Sequence, residues 1–205
     1  MNQAIKLAFN LFKLRIGIVI AITALTGFAI TPGHAPGWQV AVLVLVVLLS
    51  SASAGAFNQY YEFDLDRQMK RTRRRPFATG ALAPHWGWLA LIIALTAAPV
   101  AAAWYAVNPW AALYTFLGAF FYAVVYTVWL KRRTWWNIVI GGLAGSFAVL
   151  AGAASVSPVL PPEALILALV LFLWTPSHFW SLAIAYRSDY EQAGVPMLPV
   201  VKGDA

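Results

Sequence analysis

Six long apolar runs dominate the chain, at Leu14–Ile30, Val40–Phe57, Trp86–Val107, Trp110–Leu130, Trp136–Val156 and Ala164–Ala185. Each approaches the ~20 residues a helix needs to cross the hydrocarbon core of a bilayer. The period-two alternation of a membrane β-barrel is absent. Lipid offers exposed backbone no hydrogen-bond partner, so helices are the element expected. The pattern predicts an all-α protein, a multi-pass transmembrane bundle of six helices packed as a single domain over 1–205. Tryptophans mark the predicted boundaries. Trp38, Trp86, Trp110 and Trp136 begin spans, and Trp104 and Trp129 lie near span ends, where indole rings settle at the membrane interface.

Composition and charge sharpen this picture. The chain is 61% hydrophobic and 10% charged, whereas a soluble domain carries about a quarter charged residues. Its 14 Lys and Arg all fall within the first fifteen residues, in 67–75, in 131–133, or from Arg187 onward. The connections Thr31–Gln39, Asn108–Pro109 and Ser157–Glu163 contain none. By the positive-inside rule, the N-terminus and every basic loop are expected on the cytoplasmic face. Topology and attraction to anionic lipid account for the net charge of +7. Nucleic-acid binding would need a soluble basic face. The lack of cysteine excludes disulfides, thiolate metal sites and cysteine nucleophiles. No small-x-small cleavage pattern follows the first run, so it is expected to be a retained helix rather than a signal peptide. The absence of a transit peptide points to a bacterial cytoplasmic membrane rather than a mitochondrion.

Gly141 and Gly145 have the small-xxx-small spacing of a close helix contact. Pro99 and Pro176 remove backbone donors and are predicted to kink their helices, Pro176 opening space for a ligand near His178.

The stretch from Asn58 to Arg75 is the first candidate for chemistry. Carboxylates at the lip of a span, followed at once by cations, are costly near lipid and mark function by default. Asn58, Glu62 and Asp66 recur at i, i+4 and i+8, one stripe of a helix. Their oxygens suit Mg²⁺, which takes one or two carboxylates together with waters and substrate phosphates. Asp64 falls on the opposite side. A solvated helix end with ordinary surface carboxylates is the other reading this spacing leaves open. Lys70, Arg71, Arg73, Arg74 and Arg75 offer forks and point charges for phosphate oxygens, or a topogenic loop against lipid. Lys13 and Arg15, at the mouth of the first span, leave the same two readings open, with topology the preferred one.

A second candidate joins His178 to Asp189. They are eleven residues apart, about three turns, and so are expected to share a helix face. A histidine within a span faces a cavity or a partner. Haem iron, a substrate carboxylate or a neighbouring helix would each satisfy it. His34 and His85 lie in loops, with nothing to argue for a role.

Asn58-xxx-Glu62-xxx-Asp66, with its basic extension to Arg75-Pro76, resembles the Asn-xxx-Asp-xxx-Asp signature of the UbiA-type intramembrane prenyltransferases. Trp174-Thr-Pro-Ser-His178-Phe-Trp180, Tyr186-Arg187-Ser-Asp189-Tyr190 and the run Ala193–Pro199 resemble the haem-farnesylating branch of that family. Lys131-Arg-Arg-Thr134 with Asn137–Gly142 matches as well, so the resemblance covers essentially the whole chain. Four departures stand out: Glu62 for an aspartate, Leu14 and Ser177 for prolines, and six helices where the family has nine. The last third of that fold is therefore expected to be missing here: either the sequence is a fragment, or another chain closes the cavity.

The resemblance implies Mg²⁺-dependent transfer of a farnesyl group from farnesyl diphosphate to a vinyl group of haem b (protohaem IX), giving haem O. It implies Asn58, Glu62 and Asp66 as catalytic metal ligands and Lys70, Arg71 and Arg75 as diphosphate ligands. His178 would contact haem, and Arg187, Asp189 and Tyr190 the propionates or the diphosphate. Haem A synthase and terminal oxidase assembly factors are the implied protein partners. Two other readings share parts of the pattern. A prenyltransferase of a quinone precursor needs the first motif but not His178 or Ala193–Pro199. A six-helix transporter or assembly factor binding haem or lipid needs no Mg²⁺. The Asp-Gly-xx-Ala-Arg pattern of phospholipid-headgroup transferases is absent.

Overall fold

Backbone amides with no water at hand must close on their own chain, and in the computed structural model the described residues, 3–203, form helices and no strand. α1 (Gln3–Leu11) and α2 (Leu14–Ala29) meet at 54°. Between them Lys13 takes the left-handed conformation, φ 48°, which is uncommon for a residue with a side chain. α3 (Gly37–Tyr61) breaks at Glu62 into the short α4 (Phe63–Gln68), and α5 (Pro76–Thr79) follows the basic loop. α6 (Trp86–Ala106) returns across the bundle. α7 (Pro109–Phe120) runs on as a π-helix over Phe121–Leu130. α8 (Asn137–Gly141) and α9 (Leu143–Val156) share one span broken at Gly142. α10 (Pro162–Ala185), α11 (Arg187–Gln192) and α12 (Leu198–Lys202) complete the described chain.

Five spans are long and apolar enough to cross a membrane, and the bent α1–α2 pair makes a sixth, so this is a multi-pass integral membrane protein. The six boundary tryptophans all point outward. Helical assignment continues through Pro99 and Pro176. The interruptions fall instead beside Lys13, at Glu62, at Gly142 and at Tyr186, each next to a residue of the site described below.

Packing follows small residues. α2 lies against α3 and α9, α3 against α6, α6 against α7 and α7 against α9, with α10 outside α9. At the α2–α9 crossing a Cβ on Gly27 would collide with the Val149 carbonyl, and one on Gly152 with that of Ala24. Glycine is what permits this approach. From that contact the two helices part toward the end that carries the basic loops.

Candidate active site

The π-helix sets the centre of the site. Over nine residues an α-helix turns about 900°, which would put Tyr122 and Lys131 on opposite faces. The wider π winding, closing hydrogen bonds such as Lys131 N–H to Tyr126 C=O, brings them to one face. Tyr122 and Tyr126 stack at 5.7 Å, and the Lys131 Nζ lies 5.8 Å from the Tyr126 ring. Thr127 donates to the Tyr122 carbonyl and accepts from Asn58.

Against that face stand the polar residues at the end of α3. Asn58, Glu62 and Asp66 are all buried. The i→i−4 bonds Glu62 N–H to Asn58 C=O and Asp66 N–H to Glu62 C=O carry the chain through the break, so the stripe predicted by spacing survives the end of α3. Asn58 donates to Glu62 Oε2 at 2.7 Å, and Lys131 Nζ donates to the same oxygen at 2.5 Å. Arg75 Nη1 reaches both oxygens of Asp66, at 2.8 and 2.9 Å. Lys13, turned inward by its left-handed backbone, donates to Asn58 Oδ1 at 2.7 Å and to the Tyr122 hydroxyl at 3.0 Å. Its stem crosses α3 at Gly55, where an added Cβ would lie 3.2 Å from Lys13 Cδ. Three cations thus surround two carboxylates, and the surplus positive charge suits an anion.

The remaining candidates divide. Asp189 is buried and accepts the Arg71 backbone N–H at 3.2 Å, while the Arg71 fork donates to the Tyr190 hydroxyl at 3.3 Å. Val195 and Met197 pack on Leu65 and Met69, so the run Ala193–Pro199 buttresses the first motif. Lys70, Arg73 and Arg74 are exposed and make no side-chain contact with this cluster. Arg187 is half-buried and pairs with Glu191 at 2.7 Å. His178 and Asp189 do not share a helix face, because the helix breaks at Tyr186 (φ −118°, ψ 30°). His178 is exposed and stacks on Trp174 at 4.5 Å. Asp64 does lie on the far side: it is exposed and bridged by both Arg132 nitrogens, at 2.7 and 3.0 Å. That fork holds the Asp64 carboxyl below the usual carboxylate range. His85 has a local task, accepting the Gly87 N–H at the start of α6.

Lys13, Tyr122, Tyr126, Thr127 and Lys131 join the site, though the residues alone mark Lys13 chiefly as topology and give the other four no chemical role. A signal for three of them is present: polar tips at 122, 126 and 131 are spaced four and five apart, wider than an α-helical repeat.

Below the charged cluster lies an apolar cavity of about 510 Å³, within the usual range for small-molecule sites. Lys13, Tyr122 and Tyr126 line its mouth, and α2, α3, α7, α9 and α10 form its walls. The two glycines predicted to pack together behave differently. Gly141 meets the Tyr126 ring, whereas Gly145 faces the cavity with no atom within 4 Å of a would-be Cβ. Among the described residues no three His, Cys, Asp or Glu converge as a metal site. Two carboxylates with an amide oxygen are nevertheless a sufficient set for Mg²⁺ that also binds phosphate and water. Glu62 Oε1, buried without a hydrogen-bond partner, is an acceptor in want of a cation.

Buried acids and bases above an apolar slot are the arrangement expected for an amphiphile with an anionic head, and comparison with known proteins agrees. Residues 20–205 match the model of the UbiA prenyltransferase family. Over 202 residues the chain is 61% identical to Protoheme IX farnesyltransferase 2 of Paramagnetospirillum magneticum, covering 98% of this chain and 70% of that protein. It is 54% identical to Protoheme IX farnesyltransferase 1 of the same organism, covering 95% and 68%. The fold superposes on a UbiA homolog from Archaeoglobus fulgidus bound to DMAPP and Mg²⁺, with TM-score 0.79 at 19% identity, over 96% of this chain and 69% of that one. With the family model matched over nearly its whole length, this chain belongs to the UbiA prenyltransferase family.

Proposed function

We propose that the chain transfers a farnesyl group from farnesyl diphosphate to a vinyl group of haem b, forming haem O. The observation that carries this reading is the charged cluster of Lys13, Glu62, Asp66, Arg75 and Lys131, which meets the apolar cavity at Lys13. The names of the similar relatives supply the acceptor.

Asn58, Glu62 and Asp66 would hold Mg²⁺, with the unpartnered Glu62 Oε1 as its most available oxygen. Bound there, the ion would neutralise diphosphate and make it a better leaving group. Lys13, Lys131 and Arg75 donate to the departing oxygens, and their stabilisation grows as negative charge develops. Tyr122 and Tyr126 present stacked ring faces at the cavity mouth, where the positive allylic carbon forms. The cavity walls keep water from that carbon. The vinyl group attacks as the carbon–oxygen bond to diphosphate breaks, and water adds to the resulting cation with loss of a proton. Arg71 with Asp189 and Tyr190 forms a secondary polar group beside the site, suited to a carboxylate or phosphate edge of a substrate. We assign His178 a contact with haem from the outer side of α10.

The chain forms one prenyltransferase domain and spans about 70% of the length of the relative it matches at 61% identity. The protein resides in a bacterial inner membrane with its N-terminus and basic loops in the cytoplasm, which the single-ended clustering of those loops supports. Its product passes to haem A synthase or terminal oxidase assembly.

The test is to incubate membranes containing the protein with haem b, farnesyl diphosphate and Mg²⁺ and to measure haem mass. Wild type gives the hydroxyethylfarnesyl adduct, and Asp66→Ala gives none while inserting normally. Wild-type turnover by Asp66→Ala would refute the site.

A further inference from the structure

The cavity has a floor, and the depth of that floor matches one prenyl length. Its lowest lining residues are Thr23 on α2, Val47 on α3 and Ala151 on α9. Thr23 and Val47 lie ten and eleven residues from Lys13 and Asn58, at the polar ends of their spans. At 1.5 Å per residue, these two walls give a slot about 16 Å deep. At this same level α2 and α9 close on each other, at the Ala24–Gly152 and Gly27–Val149 contacts. Those contacts are backbone against backbone and cannot yield to a longer ligand.

An extended chain advances about 1.2 Å per bond, as a peptide does over the three bonds of each residue. The main chain of a farnesyl group is then about 13 Å long, leaving about 3 Å for the oxygen that ties it to diphosphate at Lys13. A geranyl chain, at about 8 Å, leaves the lower slot empty, and a geranylgeranyl chain, at about 18 Å, overruns it. The geometry points to the α2–α9 glycine crossing as the ruler that selects the length of the prenyl donor, with Thr23, Val47 and Ala151 as its floor and Ala148 as the wall of the last isoprene unit. This rests on the donor reading above and deepens it: the class of ligand is an allylic diphosphate of three isoprene units.

Two substitutions raise the floor from opposite walls, Ala148→Leu on α9 and Thr23→Leu on α2. The experiment compares binding of non-reacting thio-diphosphate analogues of geranyl, farnesyl and geranylgeranyl chains, and of inorganic diphosphate, to the detergent-purified chain with Mg²⁺. In wild type the farnesyl analogue binds tightest and the geranylgeranyl analogue at least about tenfold more weakly. In each variant the farnesyl analogue loses at least about tenfold and the geranyl analogue becomes the preferred ligand. Inorganic diphosphate binds all three proteins alike, which reports an intact head site and fold. Equal binding of farnesyl and geranylgeranyl analogues to wild type would overturn the ruler, since the tail would then be escaping sideways into lipid. Prenyl analogues that bind no better than inorganic diphosphate would overturn the donor reading itself and the ruler with it.

Discussion

Two ion pairs join the break after α3 to the turn after the π-helix, and they differ chiefly in burial. Glu62 with Lys131 is buried; Asp64 with Arg132, one or two residues away on each side, is exposed. The exposed pair has the better geometry, a two-pronged fork, yet water and salt leave it worth little. The buried pair is tied through Asn58 to Lys13 at the mouth of the cavity, and neither of its charges has solvent to fall back on. Position relative to the bundle, not the chemistry of the pair, therefore separates a site from a surface.

The sharpest way to break this contrast is Lys131→Ala or Glu62→Ala. Each leaves a buried charge unpaired, with an expected cost of about 3–5 kcal/mol in detergent unfolding and loss of haem O formation. Replacing both at once, Glu62→Gln with Lys131→Met, removes the stranded charge, so most of the stability returns while transfer stays absent. Recovery of both together would show the pair to be structural only. Next in size is Arg75→Lys, which keeps the charge but loses the guanidinium whose Nη1 reaches both Asp66 oxygens while its other nitrogens stay available to an anion; a fall of roughly 10²-fold in turnover is expected, comparable to losing one stabilising donor. Tyr122→Phe removes one hydrogen bond to Lys13, expected to cost about 1.5–3 kcal/mol in donor binding or turnover.

The smallest effect belongs to the surface pair. Because Arg132 lowers the folded-state pKa of Asp64, its contribution is present above the ordinary carboxylate range and is lost as pH falls through the lowered value. Asp64→Asn should flatten that acid limb of the stability curve slightly. Transfer at neutral pH is expected to be unchanged.

Much of this was legible in the residues. Apolar runs located the spans, tryptophans their ends, and the i, i+4, i+8 spacing brought Asn58, Glu62 and Asp66 together. What stayed hidden depended on departures from α-helical winding. Lys13 enters through a left-handed residue between two bent helices, and Lys131 through π winding; both lie where a cation also serves topology. The break at Tyr186 separated His178 from Asp189 although their spacing suits one helix. Lys70 and Arg75 read alike as cations in one loop, but only folding of that loop turns one outward and the other onto Asp66. Gly145 carries the spacing of a packing glycine and instead opens onto a cavity, because its neighbours α7 and α10 stand back from it.

The most direct test sets Lys131→Gln beside Arg132→Gln in one assay of farnesyl transfer to haem b, scored by haem mass at matched protein level. The account predicts a loss of at least about 10²-fold for the first and a change within about twofold for the second. Equal losses in both, or wild-type turnover by Lys131→Gln, would contradict it.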